Sequence, residues 1–365
     1  MVNRRVAVSR KRSRVDWPTA AVHLAAALPR GRLHSAVLAW SEQKRGASQP
    51  WGVAFSGGAD SLALLLLLWA HWPERRARLV ALHFNHKLRG RAADADLKFC
   101  REVCRALGVK FVRGMWRRGQ RQRGKAAATP SEAEARAARL AFFEAQAVSS
   151  STHATRELWL GHQQDDIAES MLMRLARGSG AAGLAAPRPV QSMPGGRVHL
   201  RPLLTLKKAE LVAALRQAGI PWREDATNAT AAYFRNRIRS EVIAPWVAAA
   251  QRDALAGAAL ARELLDEDDA ALDAWLDGLR PLTRARPPRL SLAILTGKPR
   301  AIWRRALRRW LAVQPDAGDL SRPGFEALLN ALVAGRTTRQ SLGSDGFAVT
   351  RDGFLQFERK KKAHP

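Results

Sequence analysis

Ser56-Gly57-Gly58-Ala59-Asp60-Ser61 stands between two apolar runs, Trp51-Gly52-Val53-Ala54-Phe55 before it and Leu62-Ala63-Leu64-Leu65-Leu66-Leu67-Leu68 after it. The first run reads as a buried strand and the second as a buried helix, so a tight glycine turn joins strand to helix. That geometry collects anions. Glycine lets backbone approach a phosphate closely, and the first helical N–H groups lack intrahelical partners. Ser56 and Ser61 add hydroxyl donors. An ordinary strand-to-helix turn capped by Ser and Asp is the bland alternative, but serines on both sides with Asp60 inside favour nucleotide phosphate.

The pattern then repeats in α/β fashion. Arg78–Phe84 reads as a second strand, Asp94–Leu107 as a helix and Lys110–Met115 as a third strand. A Gly/Arg/Gln-rich loop covers Arg117–Lys125. A helix at Pro130–Ala147 and a fourth strand at Glu157–Gly161 follow, with short helices at Ala20–Leu28 and Ser35–Gln43 leading in. Strands alternating with helices predict an α/β fold, a parallel sheet with helices on both faces. Ligands in such sheets bind outside the carboxyl ends of the strands.

Charge names the partner class. Lys and Arg number 61 against 32 Asp and Glu, a net +29, which points to a polyanion. His71, Pro73 and Glu74 close the longest apolar stretch short of a membrane span, so a soluble, cytoplasmic protein is expected, with no membrane partner. Cys100 and Cys104 alone exclude a disulfide framework or a four-cysteine zinc site. They are expected on one helix face, as core or surface thiols away from the site loops. Met1–Pro18 reads as a disordered basic arm, with an organelle transit peptide as the sharper alternative.

Three clusters fall at strand ends. His83, Asn85, His86 and Arg89 crowd the loop after the second strand. After the fourth comes Gly161-His162-Gln163-Gln164-Asp165-Asp166-Ile167-Ala168-Glu169-Ser170. Helical spacing is expected to align His162, Asp165 or Asp166, and Glu169 on one side, suited to magnesium or proton transfer. First-turn acids also complement a helix dipole. Thr129, Pro130 and Glu132 form a capping box, so Glu132 divides evenly between capping and function. Arg136 projects from the next turn toward acids or substrate phosphates.

These motifs, with Glu132–Arg136, Arg174–Gly180, Gly183-Leu184, Arg201-Pro202-Leu203-Leu204, Trp222–Asn228 and Arg235–Arg239, resemble the tRNA(Ile)-lysidine synthetase family in order and spacing. The glycine loop alone would indicate only the wider PP-loop ATP pyrophosphatases. The resemblance covers roughly Gly52 to Ile243. It implies a PP-loop, Rossmann-like nucleotide-binding domain that uses ATP and Mg2+ to ligate free L-lysine to the wobble cytidine of tRNA(Ile) with anticodon CAU. The cytidine C2 oxygen is adenylated first, releasing pyrophosphate, and the lysine amine then displaces AMP. Ser56, Gly57, Gly58, Ala59, Asp60 and Ser61 are then expected at the phosphates, with His83, Asn85, His86 and Arg89 also toward the nucleotide. Asp60, His162, Asp165, Asp166, Glu169, Glu132 and Arg136 are the catalytic candidates. His162 and Asp165 are expected to serve adenylation, and Glu132 or Glu169 to orient lysine. Which residues hold the metal stays open.

The domains expected are a basic arm and leading helices at 1–48, the catalytic domain at 49–245, and a mainly helical, basic tRNA-binding domain at 246–365 ending in a short β-hairpin. One helix or a helical hairpin is expected at Arg252–Leu279 and a helix at Arg300–Leu311, with a Pro/Arg linker at Arg280–Arg289 between them. Arg300, Arg304 and Arg308 recur opposite Trp303, Ala306, Leu307 and Trp310, as a solvated face or an RNA-backbone stripe. Asp352-Gly353 marks the hairpin turn. The resemblance implies that the chain stops before a second C-terminal domain of the kind longer relatives carry, which leaves the grip on the acceptor arm open. A homodimer is compatible with this reading. Another PP-loop tRNA modifier such as a thiolase, or a non-catalytic basic RNA-binding protein, is the alternative.

Overall fold

The computed structural model describes residues 15–43, 49–85, 91–116, 132–148, 154–224, 234–314, 320–343 and 346–360, with the side chains of residues 91, 92, 132, 133 and 148 left out. Most of the basic arm, the 117–125 loop, His86, Arg89 and the side chain of Glu132 therefore lie outside the described residues. Two compact units divide the chain, Met1–Glu263 and Leu264–Pro365.

In the first unit the chain runs through α1 (Trp17–Ala27), α2 (Ser35–Glu42), β1 (Trp51–Ala54), α3 (Ala59–His71), β2 (Leu79–Asn85), α4 (Arg91–Leu107), β3 (Lys110–Met115) and α5 (Glu132–Val148). It continues through β4 (Glu157–Trp159), α6 (Gln164–Leu175), α7 (Ala181–Leu184), β5 (Val190–Met193), β6 (Arg197–Leu200) and α8 (Lys208–Gln217). Next come α9 (Phe234–Arg237), a π-helical stretch Ile238–Ile243, α10 (Ala244–Ala249) and α11 (Ala254–Leu279), inside which the units divide. Helix α1 begins earlier than expected because the Asp16 carboxylate accepts from the Thr19 hydroxyl at 2.6 Å and caps the helix there.

Six strands lie in the order β3-β2-β1-β4-β6-β5. The first five are mutually parallel, as expected; β5 runs antiparallel to β6. The β5–β6 hairpin and α8 escaped the sequence reading. Their strands are four residues long, and Arg197 and His199 break the apolar pattern of β6. Side-chain alternation explains the two covered faces. Leu79 and Ala81 of β2 join Val53 and the fully buried Leu62–Leu68 of α3, whereas Val80 and Leu82 join Phe143 of α5. Helix α3 is apolar all round because α1, α8 and the sheet enclose it.

The second unit adds β7 (Leu290–Ser291), α12 (Leu292–Leu295), α13 (Arg300–Ala312), α14 (Arg322–Val333), β8 (Arg339–Ser341), β9 (Gly346–Arg351) and β10 (Phe354–Arg359). Instead of a lone hairpin, the strands form a four-stranded sheet, β7-β10-β9-β8. Its β9–β10 turn has positive φ at both Asp352 and Gly353, as an Asp-Gly hairpin requires. Trp303, Ala306, Leu307 and Trp310 are buried in this unit's core. The opposite arginines are engaged within the unit. Arg300 and Arg304 share Glu326 at 2.9 and 3.8 Å, and Arg308 lies over the Phe325 ring. No helix among the described residues is long and apolar enough to cross a membrane.

Candidate functional site

The glycine loop is a closed hydrogen-bonded turn. The Ser56 N–H donates to Ser61 Oγ at 3.2 Å, the Gly58 N–H donates to Ser56 Oγ at 3.3 Å, and Ser61 Oγ donates to the Gly58 carbonyl at 3.0 Å. Gly58 is the N-cap of α3, so the unpaired first-turn N–H groups that follow it open at the carboxyl end of β1. Gly57 has φ +89°, and a Cβ there would stand 2.9 Å from Cys100 Sγ. Cys100 thus lies directly beneath the loop, which corrects the expectation that both cysteines sit away from it. The buried face of α4 supports the turn, and burial pushes both thiols up, Cys104 to about 12. Gly57→Ala is expected to weaken ATP binding about tenfold, because left-handed backbone disfavours a side chain by about 1–2 kcal/mol before the clash is counted. Isothermal titration with ATP checks this; unchanged affinity would refute it.

Two chain segments close on the loop. Arg223 donates its N–H to the Gly57 carbonyl at 3.0 Å and its Nε to Asp96 at 2.7 Å. Gly161 lies so close that a Cβ there would stand 3.0 Å from the Asp60 backbone, so glycine lets the end of β4 rest on the first turn of α3. The loop and the Gly161–Glu169 motif therefore meet.

Lys208, at the start of α8, ties them together. Its ammonium donates to Asp60 Oδ1 at 2.6 Å, and its backbone N–H donates to Asp165 Oδ2 at 2.9 Å. Burial pushes the Asp60 carboxyl up, and Lys208 pulls it partly back. Sequence reading missed Lys208, although its position shortly after Arg201-Pro202-Leu203-Leu204, opening a helix, was a signal. Among the described residues no three His, Cys, Asp or Glu side chains gather as a metal cage. Mg2+ commonly uses only one or two carboxylates together with substrate phosphates, and Asp60 at a phosphate loop fits that donor set.

His162 departs from expectation. It precedes the Gln163 N-cap, so it is not on the helix with the acids. The reason is a capping box: Gln163 Oε1 accepts from the Asp165 N–H, and Asp166 Oδ2 accepts from the Gln163 N–H at 2.8 Å. Half-buried His162 instead accepts at Nδ1 from Arg201 Nε at 3.1 Å. Burial first, then Arg201, Arg235, Arg139 and Arg136, hold its pKa well below the ordinary 6.5. A neutral ring that accepts at Nδ1 carries its proton on Nε2, so His162 presents a donor. Long-range 1H–15N spectra should show this tautomer and no titration between pH 8 and 6; a midpoint near 6.5 would refute it.

Asp166 and Glu169 face arginines. Arg235 donates Nε to Glu169 Oε2 at 2.5 Å and Nη2 to Asp166 Oδ1, while Arg239 donates Nε to Glu169 Oε1 at 2.6 Å. Glu169 is wholly buried. Arg239 lies in the π-helical stretch, an irregularity frequent at functional sites. His83 is used differently from expectation. It is buried and its Nδ1 donates to the Phe55 carbonyl at 2.9 Å, latching β2 to the base of the loop. Asn85 Nδ2 donates to the Ala93 carbonyl at 3.4 Å. Arg136 is exposed on α5 and acts on His162 through its charge.

A family model described as a PP-loop domain matches residues 34–245. The tRNA(Ile)-lysidine synthase of Geobacter sulfurreducens is 37% identical over 280 residues, 75% of this chain and 56% of its own length. That of Pseudomonas syringae pv. tomato is 36% identical, over 77% and 62%. That of Polaromonas naphthalenivorans is 32% identical, over 80% and 83%. The chain thus spans less than two thirds of the length of the first two. Among solved structures, the U34-tRNA thiolase NcsA from Methanococcus maripaludis is 17% identical with a TM-score of 0.47, over 68% of this chain and 78% of its own.

Proposed function

The chain belongs to the PP-loop family and, within it, to the tRNA(Ile)-lysidine synthases, and on that premise we propose that it ligates L-lysine to the wobble cytidine of tRNA(Ile) with anticodon CAU. The observation that carries the reading is the junction of two motifs at one point: Lys208 bonds Asp60 of the phosphate loop and Asp165 of the His162 motif.

In this reading Ser56, Gly57, Gly58, Ala59, Asp60 and Ser61 hold the pyrophosphate end of ATP, and Asp60 meets Mg2+, which supplies charge neutralisation on the phosphates. The Lys208 ammonium, held against Asp60, would face the same phosphates. The Nε2–H of His162 donates to the oxygen that develops charge as the cytidine C2 oxygen attacks the α-phosphorus and pyrophosphate leaves. Lysine then attacks C2, AMP departs, and a carboxylate accepts the proton that the ammonium must lose. Glu132 or Glu169 orients the amine. For Glu169 this means competing with Arg239, the more exposed of its two partners. The enzyme works in the cytoplasm on free lysine.

The test is incubation with ATP, Mg2+, radiolabelled lysine and the CAU-anticodon tRNA. Label in the RNA is the expected result, and its absence overturns the proposal. Thiolation is disfavoured by one observation: both cysteines are buried, and burial raises their thiols far above neutral pH, so neither supplies a thiolate.

A further inference from the structure

Beyond His162 the same end of the sheet carries arginines from four separate elements. Arg201 follows β6 and is buried; its Nη1 donates to the Arg188 carbonyl at 2.7 Å while its Nε holds His162. Arg188 in turn donates Nη1 to the Ala182 carbonyl at 3.4 Å, which fastens the α7 turn to the segment that enters β5. Arg174 ends α6 against that turn: a Cβ on Gly183 would stand 3.7 Å from its Nη1. Arg136, exposed on α5, stands near enough for its charge to act on Arg201 and Arg174.

The arrangement costs electrostatic energy. Arg201 is pushed down to about 10 by burial and then by Arg136 and Arg174, and Arg174 is lowered by burial and then by Arg177, Arg136 and Arg188. Elsewhere in the unit Lys208, Arg223, Arg235 and Arg239 each meet a carboxylate. Among the described residues no carboxylate pairs with Arg136, Arg174 or Arg201. Like charges gathered around a buried guanidinium are stabilised by an anion from outside, and the planar fork of arginine matches a phosphate.

We infer that Arg136, Arg174 and Arg201 form a cradle for a backbone phosphate of the RNA, beside the nucleotide presented to His162. This rests on the function proposed above. Sheet order separates the cradle from the ATP site, because β1 leads into the glycine loop, β4 to His162 and β6 to Arg201. With strands about 4.8 Å apart, the cradle lies two strands, roughly 10 Å, from the loop. A nucleotide phosphate is the other source of the same chemistry.

The experiment measures binding of the CAU-anticodon tRNA, and of an unrelated single-stranded RNA, by full-length Arg136→Ala, Arg174→Ala and Arg174→Lys across salt concentrations, with ATP titrated separately. Each alanine variant should weaken RNA binding roughly tenfold and reduce the slope of log affinity against log salt by about 1. Arg174→Lys should keep the slope and lose part of the affinity. Thermal melts equal to wild type exclude misfolding. Unchanged RNA affinity and slope overturn the cradle, as does a loss confined to ATP. Variants that lose affinity and slope for both RNAs, in an enzyme that incorporates no lysine, keep the cradle and remove the functional reading.

Discussion

Asp60→Asn is expected to lower ATP-dependent pyrophosphate release about a thousandfold, roughly 4 kcal/mol of transition-state stabilisation. The carboxylate stands in the first turn of α3, beside the phosphate loop and 2.6 Å from the Lys208 ammonium. Asparagine preserves the shape but removes the charge that holds Lys208 and that, in the proposed function, would hold a phosphate-bound Mg2+. Lys208→Ala should cost less, about 10–100-fold, the range of a lost charge-assisted contact of 1.5–3 kcal/mol. Because the two residues share one bond, the double variant should fall well short of the product of the single effects. Quenched-flow pyrophosphate release on the three variants checks this. Full additivity would mean that Lys208 and Asp60 act on separate atoms, which would sink the coupling. Arg at position 208 should restore part of the rate, since it keeps the charge.

The sequence made some of this legible and hid the rest for identifiable reasons. Strand β1, the glycine loop and α3 were readable because uninterrupted apolar runs flank a glycine pair and burial on all sides leaves no competing pattern. β3 was found at Lys110–Met115, and the Asp-Gly turn announced the β9–β10 hairpin. Strand β6 was hidden because Arg197, His199 and the adjacent Arg201 are buried polar residues, and buried polarity mimics a loop in sequence. His162 was aligned with the acids by helical periodicity, yet Gln163 caps the helix one residue later, and a single-residue shift in the start reassigns every face. Lys208 and Arg235 stand outside the catalytic candidates read from the sequence because their partners lie far along the chain. An ion pair between Lys208 and Asp60 leaves no trace in local spacing. Cys100 looked remote for the same reason: its contact with Gly57 crosses from α4 to the loop.

Removing Glu169 tests the site at the point where stability and chemistry are joined. Its carboxylate is fully buried and accepts from Arg235 on one oxygen and Arg239 on the other. Breaking a buried pair by deleting one partner costs about 3–5 kcal/mol, because the remaining charge is stranded. Two features reduce the figure here: Asp166 still holds Arg235, and Arg239 is half exposed and can turn to water. Glu169→Ala should therefore destabilise the first unit by about 2–3 kcal/mol, read as a lower urea midpoint at unchanged slope. Glu169→Gln keeps the volume and one acceptor and should lose about half as much. If Glu169 also orients lysine, Glu169→Gln at a temperature where it remains folded should release pyrophosphate with tRNA and ATP while incorporating little lysine. Losing both steps together would assign it to holding Arg235 and Arg239 alone. Retaining lysine incorporation would transfer the lysine role to Glu132, whose alanine variant should then show the split that Glu169→Gln does not.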